Sequence, residues 1–131
     1  IEDDGGFQKP MEYWIGAMVF TPDAKMLITG SRDNTIRFFE MPTMNELRVV
    51  RGHNGWVRSL VVSPDGKVLI SAGDDNTIRF WDIATGRNFR TDKTHGGAVR
   101  GIALSPDGLR LASASWDRTV KLWEGGVEPA E

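Results

Sequence analysis

No cysteine occurs among the 131 residues. That excludes a disulfide framework, a thiolate metal site and a cysteine nucleophile, and it fits the cytoplasm or another reducing intracellular compartment. No unbroken apolar stretch is long enough to span a bilayer, and the start shows no n-region and h-region pattern, so no membrane association is expected. The chain opens on Ile1 rather than Met, as a processed or excised piece would. Blocks of like charge are missing too: 16 basic and 18 acidic residues are interspersed, with a net charge of −2. Such a balance argues against a nucleic-acid arm. The two histidines fall in no His/Cys/carboxylate spacing that would cage a metal, and no cofactor is expected. No apolar stripe at helical spacing appears in the chain.

What the chain does have is repetition. Thr21-Pro22-Asp23, Ser63-Pro64-Asp65 and Ser105-Pro106-Asp107 recur at a spacing of 42 residues, with Asp33, Asp75 and Asp117 in the same register. Across residues 15–40, 57–82 and 99–124, adjacent units are identical at nearly half their positions, and most other differences are conservative. A period of this length with four strand patterns per unit predicts propeller blades and an all-β fold. In the middle unit, Trp56 to Val62 reads as a first strand rich in β-branched residues. Ser63-Pro64-Asp65-Gly66 reads as a type I turn, Lys67 to Ala72 as a second strand, Gly73-Asp74-Asp75-Asn76 as a tight turn and Thr77 to Asp82 as a third strand. A fourth strand follows Ala84-Thr85-Gly86. Within the third strand Ile78 and Phe80 point one way while Thr77 and Trp81 point the other, so the sheet is apolar on both faces.

Gly52-His53 followed by Trp81-Asp82, with Ser-Pro-Asp-Gly and Asp-Asn-Thr-Ile-Arg-Phe-Trp-Asp between them, is similar to the WD-repeat family of β-propellers. The resemblance covers residues 11 to 124. It implies blades of four antiparallel strands packed radially around a channel. The corresponding organisation is a fourth-strand latch in 1–13, repeats over 14–55 and 56–97, an incomplete third repeat over 98–124 and a tail over 125–131.

Each of the last two units holds a His, a Ser and an Asp: His53, Ser71 and Asp75, then His95, Ser113 and Asp117. These are the parts of a hydrolase. The resemblance instead implies that they join Trp81 or Trp123 in a buried hydrogen-bond network, and repetition in successive units is the behaviour of scaffolding. No catalytic residue is assigned. The first unit keeps Thr29 and Asp33 at the network positions, but Phe39 replaces the Trp and Met11 replaces the His. Apolar packing is expected to hold it, and Ala24 in place of the turn glycine points to a similar relaxation.

Propellers close with about four to eight blades. Three units with the same apolar pattern from first to last therefore need more blades, and two sources stand open. The chain begins at a fourth-strand phase and lacks that strand after Trp123-Glu124, so Phe7 to Met11 would pair with Thr119 to Trp123 of another copy. A head-to-tail dimer of six blades is favoured and a trimer of nine is possible. The other source is a longer natural propeller of which this is a fragment. A purely structural or engineered self-assembling module is a third reading.

The resemblance implies a platform for other proteins or peptides, with partners on the face carrying the loop before each first strand and the turn between the second and third strands. That face offers Trp14, Trp56 and Ala98 at one repeat position and Arg32, Asp74 and Trp116 at another, with Arg58 and Arg100 two residues after the first. Their variation in charge and size suits recognition, and Trp and Arg are favoured interface anchors. The bland alternative is that the indoles only cap the rim of packed blades. Nearby aspartates speak against a nucleic-acid surface.

Overall fold

The structure, a computed structural model, describes residues 8–126. Among these residues eleven strands form three antiparallel sheets. The first is β1 (Ile15–Phe20), β2 (Met26–Ser31), β3 (Thr35–Glu40) and β4 (Glu46–Arg51), hydrogen-bonded in that order. The second repeats the pattern with β5 (Val57–Val62), β6 (Val68–Gly73), β7 (Ile78–Asp82) and β8 (Asn88–Asp92). The third holds only β9 (Val99–Leu104), β10 (Arg110–Ser115) and β11 (Val120–Glu124), so the outer edge of β11 has no strand partner among the described residues. Among those residues no helix is long and apolar enough to cross a membrane.

The turns explain why consecutive strands pair. The Ser63 hydroxyl donates to Asp65 at 2.6 Å and accepts from the Val68 amide at 3.0 Å, while the Gly66 amide returns to the Ser63 carbonyl at 2.8 Å. Thr21 and Ser105 do the same with Asp23 and Asp107. Each turn ends in a left-handed residue, with φ of 75° at Gly66 and Gly108. Ala24 holds that conformation as well, at φ 60°, and its amide makes the same return bond to Thr21. Ala24 thus keeps the turn geometry of Gly66 and Gly108, with the same hydroxyl and carboxylate bonds around it.

Alternation along each strand places one set of side chains between neighbouring sheets. Ile36 and Phe38 of β3, Val57 and Leu60 of β5, and Trp81 form one buried cluster. Ile78 and Phe80, on the opposite face of β7 from Trp81, join Val99 and Leu111 in a second. The middle sheet is therefore the filling of a sandwich. Polar ties add to the junctions: Arg48 donates to the carbonyls of Ile83 and Ala84, and the Ile102 amide to the Ser59 hydroxyl.

Among the described residues the arc ends on uncovered apolar faces. Met18 and Phe20 of β1 are 60% and 57% exposed, and Val120 and Leu122 of β11 are 73% and 63% exposed.

Holding alanine in the left-handed region costs about 1–2 kcal/mol, partly offset by the unfolded-state entropy that a glycine would add. Ala24→Gly should accordingly raise the unfolding free energy by roughly 0.5–1 kcal/mol, measured by urea titration.

Candidate functional site

Two features stand apart from simple strand packing: a buried polar chain inside the second and third sheets, and a row of indoles, guanidinium groups and one carboxylate on the loop face.

The polar chain begins in the loop before β5. His53 is 4% exposed, and its Nδ1 lies 3.0 Å from both oxygens of Asp75 in the β6–β7 turn. A carboxylate only accepts, so Nδ1 carries the hydrogen and donates. In the neutral ring Nε2 then accepts from the Ser71 hydroxyl at 2.7 Å, and the same oxygen accepts from Trp81 Nε1 at 2.8 Å. The hydrogens run in one direction, from Trp81 to Ser71 to His53 to Asp75. Asp75 is further bound by the Asn54 amide at 3.0 Å and the Thr77 hydroxyl at 2.8 Å. The third sheet repeats the arrangement with His95, Ser113, Asp117 and Trp123, the last bond lengthening to 3.3 Å where β11 lies open.

The direction of proton donation is that of a hydrolytic triad, but the surroundings are not. Ser71 is wholly buried in mid-strand and its hydroxyl already serves both an imidazole and an indole, so no substrate carbonyl can approach it. The polar groups of Trp81, Ser71, His53 and Asp75 that form this network are paired with one another instead, which fixes the loop before β5 against β6 and β7. Among the described residues no group of His, Cys, Asp and Glu is placed to hold a metal ion.

Burial by itself raises the Asp75 carboxyl, but the hydrogen bonds from His53, the Asn54 amide and the Thr77 hydroxyl bring it well below the ordinary 3.8. Bonds from Thr119 and His95 likewise lower Asp117.

In the first sheet the polar chain does not form. Thr29 was expected in the network, yet its buried hydroxyl has no hydrogen-bond partner, because Met11 and Phe39 supply neither the imidazole nor the indole N–H. Asp33 is placed in a different network. It takes the Ser31 and Thr35 hydroxyls and Arg37, which also reaches Glu46 at 2.9 Å and lies 4.2 Å from the Tyr13 ring centroid. Burial opposes its ionisation, but these bonds hold Asp33 at about 2. Apolar packing through the fully buried Phe39 is therefore joined by a substitute ionic cluster nearer the surface.

The loop face brings Trp14, Trp56, Arg32, Asp74, Trp116, Arg58 and Arg100 into one row, and the Ala98 carbonyl accepts from the Trp116 amide at 2.9 Å. Arg32 lies 5.1 Å from the Trp14 centroid and 5.5 Å from that of Trp56, on the next sheet. Arg58 stacks on Trp56 at 3.6 Å and forms two 3.0 Å bonds to Asp74. Arg100 stacks on Trp116 at 3.7 Å and reaches the same Asp74 at 3.3 Å. Trp56 is half-buried between sheets, as a rim cap would be, while Trp14 and Trp116 stay 67% and 68% exposed. The device that aims these side chains was not expected. The β1–β2, β5–β6 and β9–β10 registers each skip one residue, namely Gly16, Arg58 and Arg100, and such a bulge redirects its side chain. Gly16 is also required sterically, since a Cβ there would lie 2.3 Å from Trp56 Nε1. The only signal in the sequence was the shared repeat position of these three residues.

Ser71→Ala should cost about 2–4 kcal/mol, because it strands both a buried imidazole nitrogen and an indole N–H. Thr29→Val should be neutral or slightly stabilising, since that hydroxyl has no partner to lose; equilibrium urea unfolding of the two variants measures the contrast. Both lowered aspartates favour folding while ionised. Their contribution should be complete above about pH 5 and should drain away as the unfolded chain takes up protons through 3.8 and the folded chain follows at lower pH. Thermal melting between pH 6 and 2 checks this, and Asp75→Asn should flatten the decline.

Comparison with known proteins agrees with this geometry. The family profile "WD domain, G-beta repeat" matches residues 9–40, 44–82 and 86–124. Two solved structures, titled "Structure of U3-55K" and "Crystal structure of RRP9 WD40 repeats", are each similar to this chain with a TM-score of 0.83 and 28% identity. Each match covers 88% of this chain and 37% of the other, so the chain spans little more than a third of the structures it resembles. Three matched repeats over most of the length, each ending in the strand that carries Phe39, Trp81 or Trp123, place the chain in the WD40 repeat family.

Proposed function

We propose that this chain is a non-catalytic protein-interaction scaffold that completes a propeller by head-to-tail association with further copies of itself. The observation that carries the reading is the match between its two open faces and its own internal junctions. Exposed Val120 and Leu122 occupy the repeat positions of Ile36 and Phe38, and of Ile78 and Phe80, all of which are 2% exposed or less. Exposed Met18 and Phe20 occupy the positions of Leu60 and Val62, which pack in the first junction, and of Ile102 and Leu104, which pack in the second. Placing β1 of one copy against the third sheet of another reproduces a contact that the chain already makes twice. Each large apolar side chain covered in this way contributes roughly 1.5–3 kcal/mol before the cost of association.

The same operation closes six blades from two copies or nine from three, of which six lies within the usual range of about four to eight. Phe7, part of the proposed latch strand, lies outside the described residues. Residues 8–11 form no strand, and Lys9 lies 5.9 Å from the Phe39 centroid of its own chain. The apolar faces therefore support the association more directly than the latch does. One observation favours a second reading, that the remaining blades belong to a longer chain: the solved structures are matched over only 37% of their length. In both readings the buried Ser, His and Asp groups serve as struts, and the loop face receives partner proteins or peptides.

Light scattering coupled to size exclusion, over a concentration series, separates the two. A discrete mass of twice or three times the chain, collapsing to one chain on Leu122→Asp, supports closure between copies. A monomer that binds a hydrophobic dye sinks that proposal in favour of a longer propeller.

A further inference from the structure

The loop-face row is electrostatically unfinished at one end. It holds three arginines and one aspartate, and Asp74 is shared by Arg58 and Arg100. Arg32, at the same repeat position as Asp74, has no hydrogen-bonding or ionic partner for its guanidinium group among the described residues; its side chain meets only the indoles of Trp14 and Trp56. The neighbouring carboxylate of Asp33 is already taken by Ser31, Thr35 and Arg37. The position is nonetheless built with care. Trp56 reaches it from the next sheet only because Gly16 has no side chain, and Trp56 is itself pinned from its other neighbour by Arg58.

We propose that Arg32, held over Trp14 and Trp56, is the anchor for a carboxylate of an acidic peptide segment in a partner protein. A guanidinium group resting on aromatic faces loses little further freedom when it binds, and it keeps its N–H donors along the edge of the plane for bidentate pairing with a carboxylate. The stacking thus meets the ordering cost in advance. The exposed surface of Trp14 beside it suits a large apolar side chain next to the acidic one. A polyphosphate backbone fits less well, because Asp33, Asp74, Asp75 and Asp117 occupy the same turns and would repel the flanking phosphates. The inference rests on reading the chain as an interaction module, and it is independent of how the ring closes, since all three residues lie in the first junction.

The test is a tryptophan-fluorescence titration of the full chain with a capped peptide of alternating glutamate and leucine, its glutamine counterpart, and an oligothymidylate. The glutamate peptide should bind saturably, and Arg32→Gln should weaken it by about fivefold or more, while Arg87→Gln, an exposed arginine on a distant turn, should leave it unchanged. Arg32→Gln should also keep the melting temperature and solution mass of the parent. Equal affinity in Arg32→Gln, equal binding of the glutamine peptide, absence of saturation at millimolar peptide, or preference for the oligothymidylate would each overturn the assignment. A change of mass in the parent alone bears on ring closure and leaves this anchor standing.

Discussion

Every sheet in this protein is apolar on both faces, and that constraint organises the rest. A sheet with one wet face can stand alone on a single core, but a sheet such as β5–β8, with Trp81 on one side and Ile78 and Phe80 on the other, must be covered twice. Neighbouring blades provide the cover, each acting as the core of the next. The middle sheet has both neighbours and is buried accordingly. The first and third sheets have one each, and the same repeat positions that are buried inside the arc lie open at its ends. The apolar faces at the two ends of the described arc are thus an unmet burial requirement.

Because blade packing is non-directional, something else must set where each loop lies. The chain from Trp81 through Ser71 and His53 to Asp75 does this by tying a connecting loop to two strands through bonds that are all satisfied. Its geometry overlaps that of a hydrolase triad because both demand an imidazole poised between a hydroxyl and a carboxylate. They differ in what surrounds the hydroxyl. In a catalyst it faces a cleft, whereas here it faces an indole N–H in mid-strand.

The first sheet shows how far this scheme can be relaxed. With Met11 and Phe39 in place of the imidazole and the indole, the Thr29 hydroxyl is stranded, and Asp33 turns outward to Arg37, which is linked to Glu46 and Tyr13. The same sheet carries Gly16 where the others carry Arg58 and Arg100, and the space this leaves admits Trp56. Departures from the repeat therefore concentrate in the unit that forms the Trp14, Arg32 and Trp56 cluster. Regular positions hold blades together, and irregular ones shape a surface.

The spacing of 42 residues, the Ser-Pro-Asp-Gly turns and the two-faced β-branched strands determined the blades from sequence alone, because turn chemistry and period-two alternation are local properties. The strand ends differ from the sequence reading by about one residue, and the His, Ser, Asp and Trp sets were legible as types at fixed offsets. The bulges at Gly16, Arg58 and Arg100 were not legible, since a one-residue slip arises from how two strands pair and not from either strand by itself. Nor could sequence show that Asp74 would be shared by two arginines while Arg32 was left with indoles only. Those outcomes depend on distances between neighbouring sheets, which are set when the shared cores pack, and only the tertiary structure decided them.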